Sequence, residues 1–488
     1  MAYITGERNQ MSLMPPSIED YVAADDPVRA YDVFVSHLNF PELGIGLNAE
    51  HVGAPDYDPR AMLKLLVYGY SYGIRSSRKL ERATHHNLSF IWLVGGLKPD
   101  HKTIARFRLE HSAALKNVLK QCARLCLKLG LVEGNTLFVD GSKMKANASF
   151  KQNWTKEKCA KALAGVEGRI DGILAECEAV DEAEGNQGSL VKMREDLKDA
   201  QTLKNKIKEV LGELKENPRQ SLNTTDADSQ PMKSNHGGII GYNMQTVVDD
   251  KNGLIVHSDV VQDKNDRCQF NAQISAAQSD LGRRCEVACG DTGYANIQEL
   301  KPLHEQGVKV IVPSQEQSRK EARPFDREQF TYDRVRDCYR CPQGYDLPYR
   351  KTDTLKRRKV YQIACAATCH ACAHFGQCTT AMQGRSVDRM FDEDLKKELE
   401  AQYERPDSQA IYARRKERSE HPFGHMKHNL GARSFLLRGL GGVRAEASLL
   451  STVFNLTRMM TLLGVAGFIK SVGKAGNPEQ KRQLLAEL

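Results

Sequence analysis

A chain of 488 residues, 40% hydrophobic and 27% charged, has room for a sizeable buried core and exceeds one ordinary domain; at roughly 100 to 200 residues per domain, two to four are expected. Lysine plus arginine outnumber aspartate plus glutamate by 70 to 62, and the net charge of +8 is compatible with a polyanionic partner without requiring one. The mixed opening MAYITGERNQMSLMPP argues against a signal peptide, and Asn455 and Arg458 interrupt the most apolar C-terminal stretch, Ala447 to Ile469, so a cytoplasmic protein without a membrane span is expected.

Residues 1–130 predict a helical domain. Ala61 to Tyr72 is strongly apolar, Ser76 or Ser77 can cap a following helix, and Asp100 stands where another should start. Val118, Leu119, Cys122, Leu125, Cys126 and Leu129 fall on one helix face, which Gly130 ends. The character changes at Asn135: Thr136 to Asp140 is a short, apolar, β-prone run that predicts a buried strand closing on a carboxylate.

Residues 152–218 predict an antiparallel helical hairpin, with Leu190, Met193, Leu197, Ala200, Leu203, Ile207, Val210, Leu211 and Leu214 stepping by threes and fours and a turn near Gly185 to Gly188. Tyr242–Val248 and Leu254–Val261, joined by Asp249 to Gly253, predict a β-hairpin whose Asn252-Gly253 favours positive φ. A helix from about Asp266, a strand at Glu286–Asp291, a short helix ending before Pro302 and a strand at Val308–Pro313 follow.

This order is α/β, an antiparallel part first and parallel crossovers after it, giving a mixed sheet flanked by helices. A Cys-rich insertion at 316–385 then separates the first part of that domain, 131–315, from its last part, 386–465, where helical pattern runs from about Asp392 through Leu437 to Leu463. A polar tail, 466–488, completes the partition.

Asp140 and Asp291 are both read at carboxyl ends of strands, where α/β sheets form their sites. The plainer role for either alone is a turn or helix cap. Converging carboxylates repel unless a cation lies between them, and hard oxygen ligands suit a pair of Mg²⁺ ions, which serves phosphoryl transfer. A third carboxylate is expected on the last helix, in Tyr412-Ala-Arg-Arg415-Lys-Glu417-Arg-Ser-Glu420-His-Pro-Phe-Gly-His-Met-Lys427.

That run resembles the tyrosine, arginine, glutamate and lysine signature of bacterial insertion-sequence DDE transposases, with six residues between Glu420 and Lys427. Glu417 has no lysine at that distance, so Glu420 is the candidate. The resemblance extends through Asp140-Gly-Ser-Lys-Met-Lys-Ala-Asn-Ala-Ser, Gly241-Tyr-Asn-Met-Gln and Asp291-Thr-Gly-Tyr, covers nearly the whole chain, and is nearest to the branch named for insertion sequence eleven-eighty-two. It implies an RNase H-like catalytic domain, the wiring already read from the element order. It also implies Asp140, Asp291 and Glu420 as ligands of two Mg²⁺ ions (Mn²⁺ can substitute), cleavage at transposon ends, and strand transfer by the freed 3′ hydroxyl into target DNA.

Lys427 and Arg415 would grip phosphates and Tyr412 would stack on a displaced base. Four residues, not the usual three, separate Arg415 from Glu420, and Pro422 predicts a kink or restart beside Glu420. Processing two ends together implies at least a homodimer on DNA, associated with the bacterial nucleoid.

Thirteen cysteines include six within one stretch, and in a reducing compartment Cys338-x2-Cys341 and Cys369-x2-Cys372, with Cys378, point to Zn²⁺. Spacing leaves the choice of four open, while the resemblance implies Cys341, Cys369, Cys372 and Cys378. Lys356, Arg357, Arg358 and Lys359 would form a basic tip touching DNA, or an ordinary solvated charge run. Lys102, Arg106 and Arg108, within Pro99 to Arg108, are candidates for reading terminal inverted repeats. The competing reading is a catalytically inactive, domesticated transposase acting as a sequence-specific regulator; the presence of all three carboxylates favours the enzyme.

Overall fold

Residues 17–47, 56–182, 187–216, 220–234, 237–318 and 325–475 are described by the computed structural model. They fall into two compact units, one made of residues up to 266, 272–285 and 416 onward, the other of 267–271 and 286–415.

The first unit begins with helices set by their caps. The Asp26 carboxylate accepts from the Val28 amide at 2.8 Å to start α1 (Pro27–His37), with Pro27 in the first turn where no amide is needed. After α2 (Phe40–Leu43), Asp58 starts α3 (Pro59–Ser71) in the same way, through the Arg60 amide at 2.8 Å. Ser76 stands at the start of α4 (Ser77–His86) without a side-chain cap bond, and α5 (Leu88–Leu93) follows. Asp100 starts α6 (His101–Glu110) as expected, holding the Thr103 amide at 2.7 Å. Then come α7 (Ser112–Lys116) and α8 (Val118–Lys128), which buries Val118, Leu119, Cys122, Leu125 and Cys126.

β1 (Thr136–Lys145) runs five residues past Asp140, which corrects the expectation that Asp140 closes the strand. The turn-prone Gly141-Ser142 is overridden by an unbroken antiparallel ladder from Leu137 opposite Asp249 to Lys145 opposite Gly241. β2 (Asn153–Thr155) leads into the helical hairpin α9 (Lys156–Glu182) and α10 (Gln187–Glu216); its turn, at 183–186, lies outside the described residues. The hairpin closes over Cys159, Ile207, Leu214 and Leu222. Its buried stripe follows Ala200, Ile207 and Leu214 in seven-residue steps, leaving Leu203 to one side and exposed.

β3 (Ser221–Asn223) pairs with β2, and β4 (Gln230–Ser234), β5 (Gly237–Asp249) and β6 (Ile255–Val261) complete the antiparallel strands of this unit. The β5–β6 hairpin turns where expected, with Gly253 at φ +66°, a conformation an L side chain rarely adopts. α11 (Phe270–Leu281) follows.

In the second unit β7 (Val287–Cys289) and β8 (Lys309–Ile311) pair in parallel across α12 (Ile297–Glu305). α12 continues through Pro302 rather than stopping before it; buried Leu300 and Leu303 offset the one amide bond a proline removes. Next is a five-stranded antiparallel meander: β9 (Thr331–Asp333), β10 (Cys338–Arg340), β11 (Asp346–Asp353), β12 (Arg358–Gln362) and, after α13 (Ala366–His370), β13 (Ser386–Met390). β13 carries it beyond the boundary expected at 385. Its core is Phe330, Tyr339, Leu347, Tyr361, Ile363 and Val387. α14 (Glu393–Tyr403) leads to α15 (Pro406–His428), helical through Pro422 with no restart.

α16 (Gly439–Leu463) is the central helix of the first unit, packed on α1, α3, α7, α8 and β6. α17 (Val465–Ala475) packs on α1 and buries Phe468 and Val472, so a helix stands where a polar tail was expected from 466; residues 476–488 lie outside the described set. Among the described residues no single helix is long and apolar enough to cross a membrane, and α16 meets α17 at 108°.

Asn455 and Arg458, the polar residues that interrupt this apolar stretch, have protein partners. Buried Asn455 accepts from the Ile255 amide at 2.8 Å and donates to the Ile255 carbonyl at 2.7 Å, and Arg458 Nε donates to the Asn252 carbonyl at 2.6 Å. Asn455→Ala strands both backbone groups of Ile255 and is expected to destabilise the unit by about 2 to 4 kcal/mol. Denaturant unfolding measures this; an unshifted midpoint would contradict the role of Asn455.

Candidate active site

Asp140 lies mid-strand in β1, partly exposed, with its Oδ1 accepting from the Gly141 amide at 2.9 Å. Two residues on, and so on the same face of the pleat, the Ser142 hydroxyl accepts from Lys427 Nζ at 2.5 Å. Burial holds the Lys427 ammonium below its ordinary pKa, and nearby Asp140 pulls it back up, which places cation and carboxylate in one field.

A second contact aligns α15 with β1. Arg418 Nε lies 3.6 Å from the Asp250 carboxylate, and the Asp250 amide donates to the Thr136 carbonyl at 3.1 Å. The helix is therefore tied at residue 418 near the start of β1 and at residue 427 near Ser142, so the two run in the same direction. Glu420 lies two residues past the first tie and is exposed. Seven residues bring an α-helix back to within about 20° of the same azimuth, so Glu420 and Lys427 share a face.

Glu417, three residues before Glu420, is 75% exposed and paired with Arg418 at 3.1 Å.

The opposite face of β1 is braced by a residue that sequence reading missed. Asp266 Oδ1 accepts from Asn243 Nδ2 and Gln245 Nε2, both at 2.6 Å, with Lys143 Nζ at 3.5 Å. Gly141 makes room for this cluster: a Cβ there would collide with Gln245 Nε2 and Asp266 Oδ1. The signal available was Gly241-Tyr-Asn-Met-Gln, which contributes two of the three donors; nothing local marks Asp266 as their acceptor.

In the second unit Asp291 lies two residues past β7 and caps the turn Thr292–Tyr294, its Oδ1 accepting from the Gly293 amide at 2.8 Å. Tyr412 stacks edge-on against Tyr403 at 5.1 Å, with the Arg415 guanidinium 5.5 Å from its ring centre. Burial raises the Tyr412 pKa, and Arg415 opposes the shift. Lys427 is thus brought to Ser142, near Asp140, in the first unit, which also contains Glu420, while Asp291, Tyr412 and Arg415 belong to the second.

Cys341, Cys369, Cys372 and Cys378 line one small cavity of about 40 Å³. Burial pushes the Cys378 thiol up, and the proximity of Cys369, Cys341 and Cys372 pushes it the same way against Arg385. Cys338, buried in β10, and exposed Cys365 are not among its lining residues. No group of three or more His, Cys, Asp or Glu among the described residues is placed to hold a metal ion as it stands.

The basic tip is largely neutralised by its own unit. Arg357 pairs with Asp392 at 3.3 Å, Arg358 with Asp388 and with Asp353 at 3.5 Å, and Lys359 with Asp337 at 3.9 Å, leaving Lys356 exposed at the turn. On α6, Lys102 and Arg106 are exposed, but Arg108 is only 3% exposed. Two residues rotate a helix by about 200°, so Arg108 turns inward while Arg106 faces out. The three do not form one reading face.

Residues 16–110 match the family model described as Transposase domain (DUF772), and residues 340–460 match that described as Transposase DDE domain. No curated protein matches the chain. The two matches support a DNA transposase of the insertion-sequence DDE class, an enzyme whose substrate is DNA.

Proposed function

We propose that the chain is a transposase of the insertion sequence eleven-eighty-two branch, with an RNase H-like catalytic part that cleaves transposon ends and joins them to target DNA. The observation that supports this reading is the contact of Lys427 with Ser142, two residues from Asp140 on β1, made from the helix face that Glu420 shares. Asp140, Asp291 and Glu420 offer the hard carboxylate oxygens that Mg²⁺ or Mn²⁺ prefers. A bound pair of such ions would activate the attacking oxygen and stabilise the leaving one. Lys427 holds a phosphate oxygen beside the scissile bond, Arg415 holds a second, Tyr412 stacks on an unpaired base, and exposed Lys102 and Arg106 contact the terminal repeats. Pairing of two ends calls for at least two copies on DNA.

The test is cleavage and joining of a labelled duplex carrying the element's own ends, with Mg²⁺ or Mn²⁺, by the wild type and by Asp140→Ala, Asp291→Ala and Glu420→Ala. Cutting and joining by the wild type alone, with end binding retained throughout, supports the reading. A wild type that binds ends and never cuts is a DNA-binding regulator instead.

We also propose that Cys341, Cys369, Cys372 and Cys378 hold a structural Zn²⁺, supported by the single cavity that all four line. Elemental analysis of the purified protein is expected to find one zinc per chain, lost in Cys378→Ser with destabilisation of the meander. Zinc-free protein with a stably folded meander would remove the assignment.

A further inference from the structure

Arg108 is a buried cation with unused donors: its Nε and Nη2 meet no acceptor among the described residues, and its guanidinium rests 5.7 Å from the Tyr70 ring centre. Leaving a buried guanidinium without an anion is costly unless a ligand supplies one. Arg108 lines a cleft of about 520 Å³ together with Ser112, Asn147 and Arg438. A second cleft, of about 450 Å³, shares Asn147, Leu436 and Arg438 with the first and adds Lys145, Ser149 and Thr225. No aspartate or glutamate lines either one.

The walls are braced for holding something. Asn147 Nδ2 donates to the Leu436 carbonyl at 2.9 Å, Arg438 Nε donates to the Asn147 carbonyl at 3.1 Å, and the Phe435 amide donates to the Lys145 carbonyl at 2.8 Å. Behind them the buried Glu446 carboxylate takes the Leu436 and Leu437 amides, both at 2.9 Å. What remains for a ligand is three cations and four hydroxyls, those of Ser112, Ser149, Thr225 and Ser434, a set that grips phosphate oxygens rather than base edges.

We propose that the two adjoining clefts form one groove that binds the DNA backbone on the approach to the cleavage point. Lys145 lies five residues past Asp140 on β1, about 17 Å at 3.3 Å per residue, which matches about five nucleotides of duplex rise. Arg108 at the floor takes one phosphate, and Lys145 and Arg438 at the rim take its neighbours. The identity of the polyanion rests on the transposase reading; the anionic character of the ligand rests on the groove itself.

The experiment is equilibrium binding of a mixed-sequence DNA duplex across a salt series by the wild type, Lys145→Ala, Arg438→Ala, Arg108→Met and, as a charge-matched control outside the groove, Lys397→Ala. Each groove variant is expected to bind about tenfold more weakly and to flatten the plot of log K against log salt by about 0.9 for each phosphate it no longer holds. Lys397→Ala should change neither. Arg108→Met is read only if it keeps the wild-type melting temperature; Lys145 and Arg438 are exposed and keep the test decisive. Unchanged slopes in Lys145→Ala and Arg438→Ala, with wild type that binds and cuts, overturn the groove alone. An equal effect of Lys397→Ala reduces it to net charge and overturns it too. A wild type that binds no DNA overturns both the groove and the transposase reading.

Discussion

Asp140→Ala and Glu420→Ala are each expected to slow end cleavage by about a thousand-fold or more, the several kcal/mol that a correctly held divalent cation contributes to a phosphoryl-transfer transition state. The double variant should be hardly slower than either single one, because groups that act as a unit lose most of their effect when the first is removed. Glu417→Ala should cut at nearly the wild-type rate, since that carboxylate is 75% exposed and engaged by Arg418. Single-turnover rates at saturating DNA measure all four. Additive losses in the double variant, or a dead Glu417→Ala, would show that Asp140 and Glu420 do not share one reaction centre.

Glu446→Ala is expected to cost about 3 to 5 kcal/mol of stability, the penalty for breaking a buried ion pair from one side. Glu446 is fully buried in α16, and Arg75, between α3 and α4, reaches it at 2.6 Å. Arg75 also donates to the Ser434 carbonyl at 2.7 Å and the Gly431 carbonyl at 3.1 Å, so one guanidinium joins the early helices to the loop ahead of α16. Removing the carboxylate strands that cation and the Leu436 and Leu437 amides together. Glu446→Gln, which keeps an oxygen for those amides, should lose less. Chemical denaturation separates the two variants; equal midpoints would show that the charge, rather than the oxygen offered to the Leu436 and Leu437 amides, carries the whole effect.

What could be read in the sequence was whatever depends on near neighbours. The Asn252-Gly253 turn, the Asp100 cap and the periodic face of α8 are each fixed within a few residues and stand where expected. Long-range pairing defeated the local signals elsewhere: Gly141-Ser142 has the chemistry of a strand end, yet β5 holds it in a ladder. Pro302 marks a helix stop only until burial of Leu300 and Leu303 is counted. In the candidate site, motif spacing along the chain singled out Asp140, Glu420 and Lys427, and the contact of Lys427 with Ser142 ties that helix to the strand carrying Asp140. Asp266 was not, because its donors come from two separate strands and the charge that matters is fixed only when these meet. Arg108 was misplaced for the related reason that an arginine carries no sign of being buried.

The position of α16 also sets a timetable for synthesis. The early helices α1, α3, α7 and α8 pack on a helix that ends at Leu463, some 335 residues after α8 ends at Lys128. At about 5 to 20 residues per second, the ribosome leaves the apolar faces of those helices without their partner for roughly 15 to 70 s. The nascent chain must wait that interval for closure, so any truncation ahead of α16 leaves those helix faces without the helix they pack on. An element interrupted late in its gene would then produce material for proteases and chaperones rather than a DNA-binding fragment competing for its own ends.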